Sequence, residues 1–415
     1  MRDSVHRILR SSVLLVLLGA AVSPALADKL VFNPSIGIGP GYNNNISFQG
    51  EGDGRESDTV GLFSLEIPFE RETRRSKLRL LYRPTIVRYQ EFDALDYTDQ
   101  RFDLDWSNKP SRRGRFRLLT SYANTQQQGS PEQPTDPDLN LTQRADRETY
   151  RLRVQYSHEL SELWTGSVEL KGQALKFNPI VPPGLQDSFQ DRSDTGIRIG
   201  GERKISTNSA VGGRYEYGYF DLDASNDYDP SVPSGAPGGQ EGTNQLAATY
   251  TQKIARRIDL RAALGGYSNS GLGEADDRSG VLAELFLTRT YKSFSIRLDL
   301  FHRPSAGGSV NGTSVQSTVG LTFRSDQDIR RNWIWEVSPR VTRRDSSQDG
   351  PTIDTASLRG NVERRFGNLF GLRLRADWFD QLVDQPGSDN VAVFRTDLAF
   401  LWYPWGGTKL GARGN

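Results

Sequence analysis

Apolar and polar residues alternate with a period of two through segment after segment, and helical periodicity is almost absent beyond residue 28. Leu372, Leu374, Ala376 and Trp378 fall on one side of a strand, with Arg373, Arg375 and Asp377 on the other. Tyr150, Leu152, Val154 and Tyr156 oppose Arg151, Arg153, Gln155 and Ser157. Phe294, Ile296, Leu298 and Leu300 oppose Ser295, Arg297 and Asp299. Successive strand side chains point to opposite faces, so each segment carries one apolar and one strongly polar face.

Two architectures use such strands. A soluble sandwich or propeller buries the apolar face and wets the polar one. A membrane barrel turns the apolar face to lipid and lines its interior with the polar one. The alternating runs extend for about 10 to 14 residues, matching a tilted spanning strand of ~9–11 residues rather than the usual globular ~5–6. Aromatics recur near segment ends, where interfacial girdles belong: Tyr42, Phe69, Tyr89, Trp106, Tyr122, Trp164, Phe177, Tyr219, Trp333, Trp378 and Trp402.

Loop rhythm separates the two most sharply. Long connections rich in Gly, Pro, Asn and Asp (43–58, 126–145, 178–191, 222–242, 269–276, 304–312, 344–352 and 381–389, with 92–96 as a short exception) alternate with tight ones around 70–76, 108–112, 159–162, 204–207, 254–256, 290–292, 326–330 and 366–368. Long outer loops alternating with short periplasmic turns, an even strand count and both termini periplasmic form the layout of bacterial outer-membrane barrels. The expected fold is therefore all-β: a transmembrane antiparallel up-and-down β-barrel of about 18 strands, 16 being the alternative count. Pro84 and Pro339 interrupt strand patterns and are expected at bulges, because Pro cannot donate to the ladder.

Arg2, His6, Arg7 and Arg10 precede the apolar run Val13–Leu18, and Ala25-Leu26-Ala27 is a small-x-small cleavage site. Residues 1–27 read as a secretory signal peptide, since the apolar core of roughly a dozen residues is too short for the ~20 that a spanning helix needs. The barrel is assigned to 28–405, with a short periplasmic tail at 406–415. Lys plus Arg number 52 and Asp plus Glu 51, a balance that argues against nucleic acid as a partner. The mean hydropathy of −0.59 excludes a polytopic helical membrane protein.

The polar faces carry both signs. Arg101, Arg115, Arg117, Arg151, Arg153, Arg198, Arg214, Arg297, Arg373 and Arg375 are assigned to the lumen with Asp103, Asp105, Asp299 and Asp377. Arg261, Arg340, Arg359 and Arg395 join them, as do Glu66, Glu169, Glu216, Asp259, Glu284, Glu336, Glu363 and Asp397. A conduit tuned to polyanions would show a basic excess. This set instead suits cross-strand pairing together with passage of neutral or mixed-charge solutes. The segment 222–242 is the candidate constriction, against the plainer reading of a solvated surface loop. Outer loops are acidic (Asp53, Glu56, Asp58; Asp93, Asp96, Asp99) and inner turns basic (Arg74, Arg75; Arg112, Arg113; Arg256, Arg257). Solubility explains the acids; divalent cations held beside lipopolysaccharide are the alternative.

Catalysis and cofactors find little support. There is no Cys, and His6, His158 and His302 are the only histidines. His158 falls at an inner turn and His302 at the outer end of a distant strand, so they cannot share a site. Gly37-Ile38-Gly39-Pro40-Gly41 lacks the following helix of a dinucleotide fingerprint. The expectation is a non-enzyme without a cofactor or metal.

Pro34-Ser35-Ile36-Gly37 running to Gly41-Tyr42-Asn43-Asn44-Asn45, then Tyr82-Arg83-Pro84, Arg88-Tyr89 and Asp96-Tyr97-Thr98-Asp99-Gln100-Arg101, resembles the opening of outer-membrane barrel porins found with exopolysaccharide export systems. That resemblance covers about the first quarter of the mature chain, carries over no site residues, and implies polysaccharide export across the outer membrane beside separate export components. Barrels commonly finish on an aromatic residue recognised by the insertion machinery. Here Trp402-Tyr403-Pro404-Trp405 precedes a polar tail. The expected partners are outer-membrane lipid and lipopolysaccharide, the insertion machinery and such export components. A general diffusion porin and a non-conducting structural or docking barrel are the alternatives.

Overall fold

The computed structural model describes residues 29–46, 56–125, 145–179, 191–222, 239–271, 278–291, 294–309, 312–325, 332–345, 352–384 and 390–404. The expected leader at 1–27, the tail at 406–415 and nearly all of 222–242 lie outside them. The strands in chain order are β1 (Lys29–Phe32), β2 (Ser35–Asn43), β3 (Asp58–Glu72), β4 (Ser76–Tyr89), β5 (Tyr97–Asn108), β6 (Gly114–Thr125), β7 (Ala145–Glu159), β8 (Trp164–Pro179), β9 (Arg192–Lys204) and β10 (Ser209–Leu222). They continue as β11 (Gly239–Ala255), β12 (Ile258–Gly271), β13 (Arg278–Thr290), β14 (Phe294–Ser309), β15 (Gly312–Ser325), β16 (Trp333–Asp345), β17 (Thr352–Phe366), β18 (Phe370–Asp384) and β19 (Val391–Trp402).

Each strand pairs antiparallel with the next from β2 to β19, and β19 returns to β2 through Thr396↔Tyr42, Phe400↔Ile38 and Trp402↔Ile36. At that seam Gly39 lies so close to the Leu398 carbonyl that any Cβ would collide with it. β1 and β2 both lie along β3, with Lys29 opposite Glu72 and Asn43 opposite Asp58, so they form one stave broken at Asn33-Pro34. The result is a closed barrel of eighteen staves. Short connections gather at one end, the two-residue link between β14 and β15 at the other end being an exception, and both described chain ends, Lys29 and Pro404, lie at the first.

Small polar residues fold the tight turns. Thr73 Oγ1 accepts from the Ser76 amide at 3.0 Å, Ser111 Oγ from the Gly114 amide at 2.8 Å, and Ser161 Oγ from the Trp164 amide at 3.1 Å. Each hydroxyl replaces a backbone acceptor at the point where the ladder stops. Gly367, at φ 66°, supplies the left-handed step between β17 and β18.

Several expectations need correction. The strands reach 17 residues in β11, longer than the alternation alone indicated. Residues 304–309 belong to β14 rather than to a loop, and its pairing with β15 shifts register between Ser305 and Ser309. Pro84 and Pro339 are not bulges, because register runs unbroken through both. On one flank of each, pairing lapses, and side chains bridge the gap: Arg83 to Glu66 at 3.1 Å, and Thr322 to Ser338 at 3.0 Å. Tyr89 and Phe177 are buried on the inner face and do not join a girdle. Asp58 and Asp96 hold the β4–β5 connection by accepting from the amides of Glu91, Phe92 and Tyr89.

Closure predicts a covalent test. Register partners lie about 4.5–5.5 Å apart at Cα, within disulfide reach. Tyr42→Cys with Thr396→Cys is expected to form an intramolecular disulfide on oxidation, read as faster migration on a non-reducing denaturing gel. No native Cys competes.

Candidate functional site: the charged lumen

Parity along the paired strands sorts every described strand residue onto one of two faces. On one lie Leu246, Leu264, Val281, Val319, Leu374 and Leu398, all strongly exposed, with Leu264 at 64%. The other carries the charges. Every arginine and carboxylate that the sequence assigned to the lumen falls on this inner face, spread around the whole circumference.

Most of those charges are paired. Arg101 meets Asp103 at 2.8 Å, Arg117 meets Asp105 at 2.8 Å, Arg297 meets Asp299 at 2.6 Å and Arg359 meets Asp377 at 3.0 Å. Arg115 reaches Glu159 at 3.3 Å, and Arg151 donates to Gln173 at 3.0 Å. Across β7–β10 the pairs merge: Arg198 grips Glu216 at 2.6 Å and Glu169 at 3.4 Å, Lys171 joins Glu216, and Arg153 closes on Glu169 at 3.8 Å. Arg373 and Arg375 lie elsewhere on the wall, on β18 between β17 and β19, Arg373 being buried. Low local dielectric strengthens such pairs, and removing one partner strands the other.

A second network spans strands that are not neighbours. Arg214 on β10 reaches Glu284 on β13 at 2.8 Å, and Arg303 on β14 approaches the same carboxylate at 4.0 Å. The intervening row is small: Arg214 stands opposite Ala247, and Ala247 opposite Gly265. Gly265 packs so tightly on Leu246 and Ala247 that a side chain could not fit. There the wall turns sharply, bringing β10 to β14 and β11 to β15 within 8 Å between Cα atoms. Ala247, Ala263, Tyr267 and Leu282 fill the corner as a dry cluster, with Val315 packed against it. The barrel is narrowed by its own wall at this corner, a contribution invisible while 304–312 was read as a loop. Lys171, Arg83 and Arg303 are among the inner-face charges outside the sequence-assigned set, as are the buried Arg147, Arg192 and Arg344.

The interior is uneven along its axis. At the short-turn end a cavity of about 1,210 Å³ is lined by residues from Arg74 and Lys109 to Arg261 and Arg297. A second, of about 650 Å³, lies beyond the Arg198–Glu216 network. Toward the long-loop end the inner face becomes buried, by polar residues such as Arg147, Arg192 and Arg344 over most of the ring and by one apolar cluster beside β3 and β4. Ile46, at 0% exposure, packs on Val60, Val87 and Tyr89, with Phe92, Leu95 and Tyr97 around them. Asn44 and Asn45 anchor that lid to β19, through Asn44 Oδ1 to the Phe394 amide (2.6 Å) and Asn45 Nδ2 to the Ala392 carbonyl (3.1 Å). At the opposite mouth Tyr403 donates to Glu363 at 2.6 Å. Burial and that carboxylate push its phenol well above the ordinary range, which keeps it a donor.

His158 and His302 lie on β7 and β14 and bond separately, to Tyr156 at 3.3 Å and Ser317 at 2.9 Å. Among the described residues no group of three His, Asp or Glu side chains is arranged to hold a metal ion.

No protein-family model and no curated protein matches the sequence. Among solved structures, Pseudomonas aeruginosa OccK2 (OpdF) in complex with glucuronate aligns at 13% identity and a TM-score of 0.43, covering 91% of this chain and 99% of that one. Acinetobacter baumannii OccAB4 aligns at 10% and 0.42, covering 91% and 99%. The FrpB iron transporter of Neisseria meningitidis aligns at 7% and 0.41, covering 85% and 62%. Such distant likenesses add nothing to an architecture that strand pairing itself establishes, and they assign no solute.

Glu284→Ala leaves Arg214 and Arg303 facing each other without their carboxylate. It is expected to lower the unfolding free energy by about 3 kcal/mol, while Arg214→Met with Glu284→Met recovers most of the loss. Urea titration of the refolded barrel reads both.

Proposed function

We propose that the chain is an integral outer-membrane barrel that conducts hydrophilic solutes, with its short-turn end in the periplasm and its long-loop end outside. The observation that carries this reading is the inversion of the usual surface. Large aliphatic side chains such as Leu246 (66%) and Leu264 stand exposed on the outer wall, while ion pairs occupy the interior. A water-soluble protein rarely leaves apolar area of that extent uncovered, and acyl chains would cover it. The arrangement of long and short connections at opposite ends supports the orientation.

The inner wall presents most of its charges with their opposites. A permanent ion would have to compete with those internal partners, so neutral or mixed-charge hydrophilic solutes fit best. General diffusion of small solutes suits this interior at least as well as polysaccharide export. A polymer needs a continuous wide path, whereas here the Ile46 cluster narrows the outer end on the β2–β5 side and the waist narrows at the β10–β15 corner. Those same constrictions favour a non-conducting barrel as the second reading.

Two experiments test this. Leu264→Arg is expected to cost about 2–4 kcal/mol in vesicle-embedded barrel, against ±0.5 for a water-facing surface site; guanidinium titration in phospholipid vesicles separates the two. In planar bilayers the wild type is expected to show small, intermittent conductance, and Ile46→Asp with Tyr89→Ser to raise it by opening the outer end. Silence in both proteins would establish the non-conducting reading.

A further inference from the structure

Inside the barrel, most arginines are answered by carboxylates. At the long-loop end of the outer wall this holds as well: Arg88 meets Asp96 at 3.3 Å, and Arg343 meets Asp345 at 3.3 Å and Asp354 at 4.0 Å. The outer wall at the short-turn end is different. Arg203, Arg289 and Arg364 point outward there by register, and none has an ion-pair partner among the described residues. Each lies over an aromatic ring instead. Arg203 stands 5.9 Å from the centroid of Trp164, Arg289 4.7 Å from Tyr291, and Arg364 5.2 Å from Trp333 and 5.1 Å from Phe366. Trp164, Trp333 and Phe366 are themselves exposed.

We propose that these three arginine–aromatic pairs are binding sites for the phosphodiester headgroups of phospholipid in the leaflet that meets the short-turn end. The inference rests on the membrane reading above and adds to it a ligand at named positions. A guanidinium laid over a ring keeps its N–H edge free, and that edge matches two phosphate oxygens in a fork. The ring fixes the guanidinium at the level where an amphipathic side chain sits between acyl chains and headgroups. The three sites lie on β8–β9, β13 and β16–β17, so they are spaced around much of the circumference and pin the rim at one depth. The contrast between the two ends assigns the missing counter-charge to the lipid: where the chain provides its own carboxylate no phosphate is needed, and where it provides only a ring the phosphate completes the pair.

The test is native mass spectrometry of the whole barrel in a maltoside detergent. It is titrated with phosphatidylglycerol, with a galactosyl diacylglycerol that lacks phosphate, and with inorganic phosphate alone. Wild type is expected to retain phosphatidylglycerol in preference to the galactolipid. Arg203→Gln, Arg289→Gln and Arg364→Gln should each weaken that retention about fivefold, while Arg88→Gln leaves it unchanged. Equal retention of both lipids by wild type overturns the proposal without needing any variant to fold. Retention of phosphatidylglycerol that survives all three substitutions, or inorganic phosphate binding as tightly as the lipid, overturns it too. Failure of the wild type to enter phospholipid vesicles would count against the membrane reading itself, a separate outcome.

Discussion

The backbone ladder that closes on itself is the constraint from which the remaining features follow. A sheet edge is a row of unpaired N–H and C=O groups, and in hydrocarbon each would cost several kcal/mol. Pairing of β19 with β2 removes both edges at once. The seam then dictates local sequence: Gly37, Gly39 and Gly41 occupy alternate inner positions of β2, and at Gly39 the approach of β19 leaves no room for a Cβ. Once the ring is closed, each side chain has only two destinations, and the alternation of residue types decides what fills the interior and what faces outward.

An interior lined with so many charges stands only because they neutralise each other. Arg198, Glu216, Lys171 and Glu169 form a continuous patch in which Arg198, Glu216 and Glu169 each have more than one partner. A buried pair of this kind adds little net stability compared with apolar replacements, but it is costly to break from one side. Its value is to keep the lumen hydrophilic without a single-signed field. The Glu284 network adds geometry: Arg214 crosses a row of Ala and Gly to reach a carboxylate three strands away, which is feasible only where the wall turns tightly.

Much of this was legible in the order of residues. Period-two alternation identified both faces of β7, β14 and β18, and long and short connections identified the two ends. What escaped follows from physics that a single strand does not contain. Residues 304–309 look like a loop, with Pro304 and two glycines, but register pairing with β15 carries them on as strand past an irregularity. Pro84 and Pro339 looked like bulges because Pro removes a donor, yet Glu66–Arg83 and Thr322–Ser338 contacts bridge the gap without adding a residue. Tyr89 and Phe177 resembled girdle residues by position alone, and their parity puts them inside. The lid built on Ile46 could not be foreseen, since its partners Val60, Val87 and Tyr89 come from two later strands.

The two ends of the barrel solve opposite problems with the same residue types. Aromatic and aliphatic side chains turned inward at the long-loop end pack together on the β2–β5 side of the lumen, as Ile46, Tyr89 and Tyr97 do. At the short-turn end aromatics turned outward instead brace arginines, while the interior remains roomy and polar. Strand parity alone makes the switch: Tyr89 and Trp164 each sit at a strand terminus, and an odd or even step in register is all that separates a lid from an anchor.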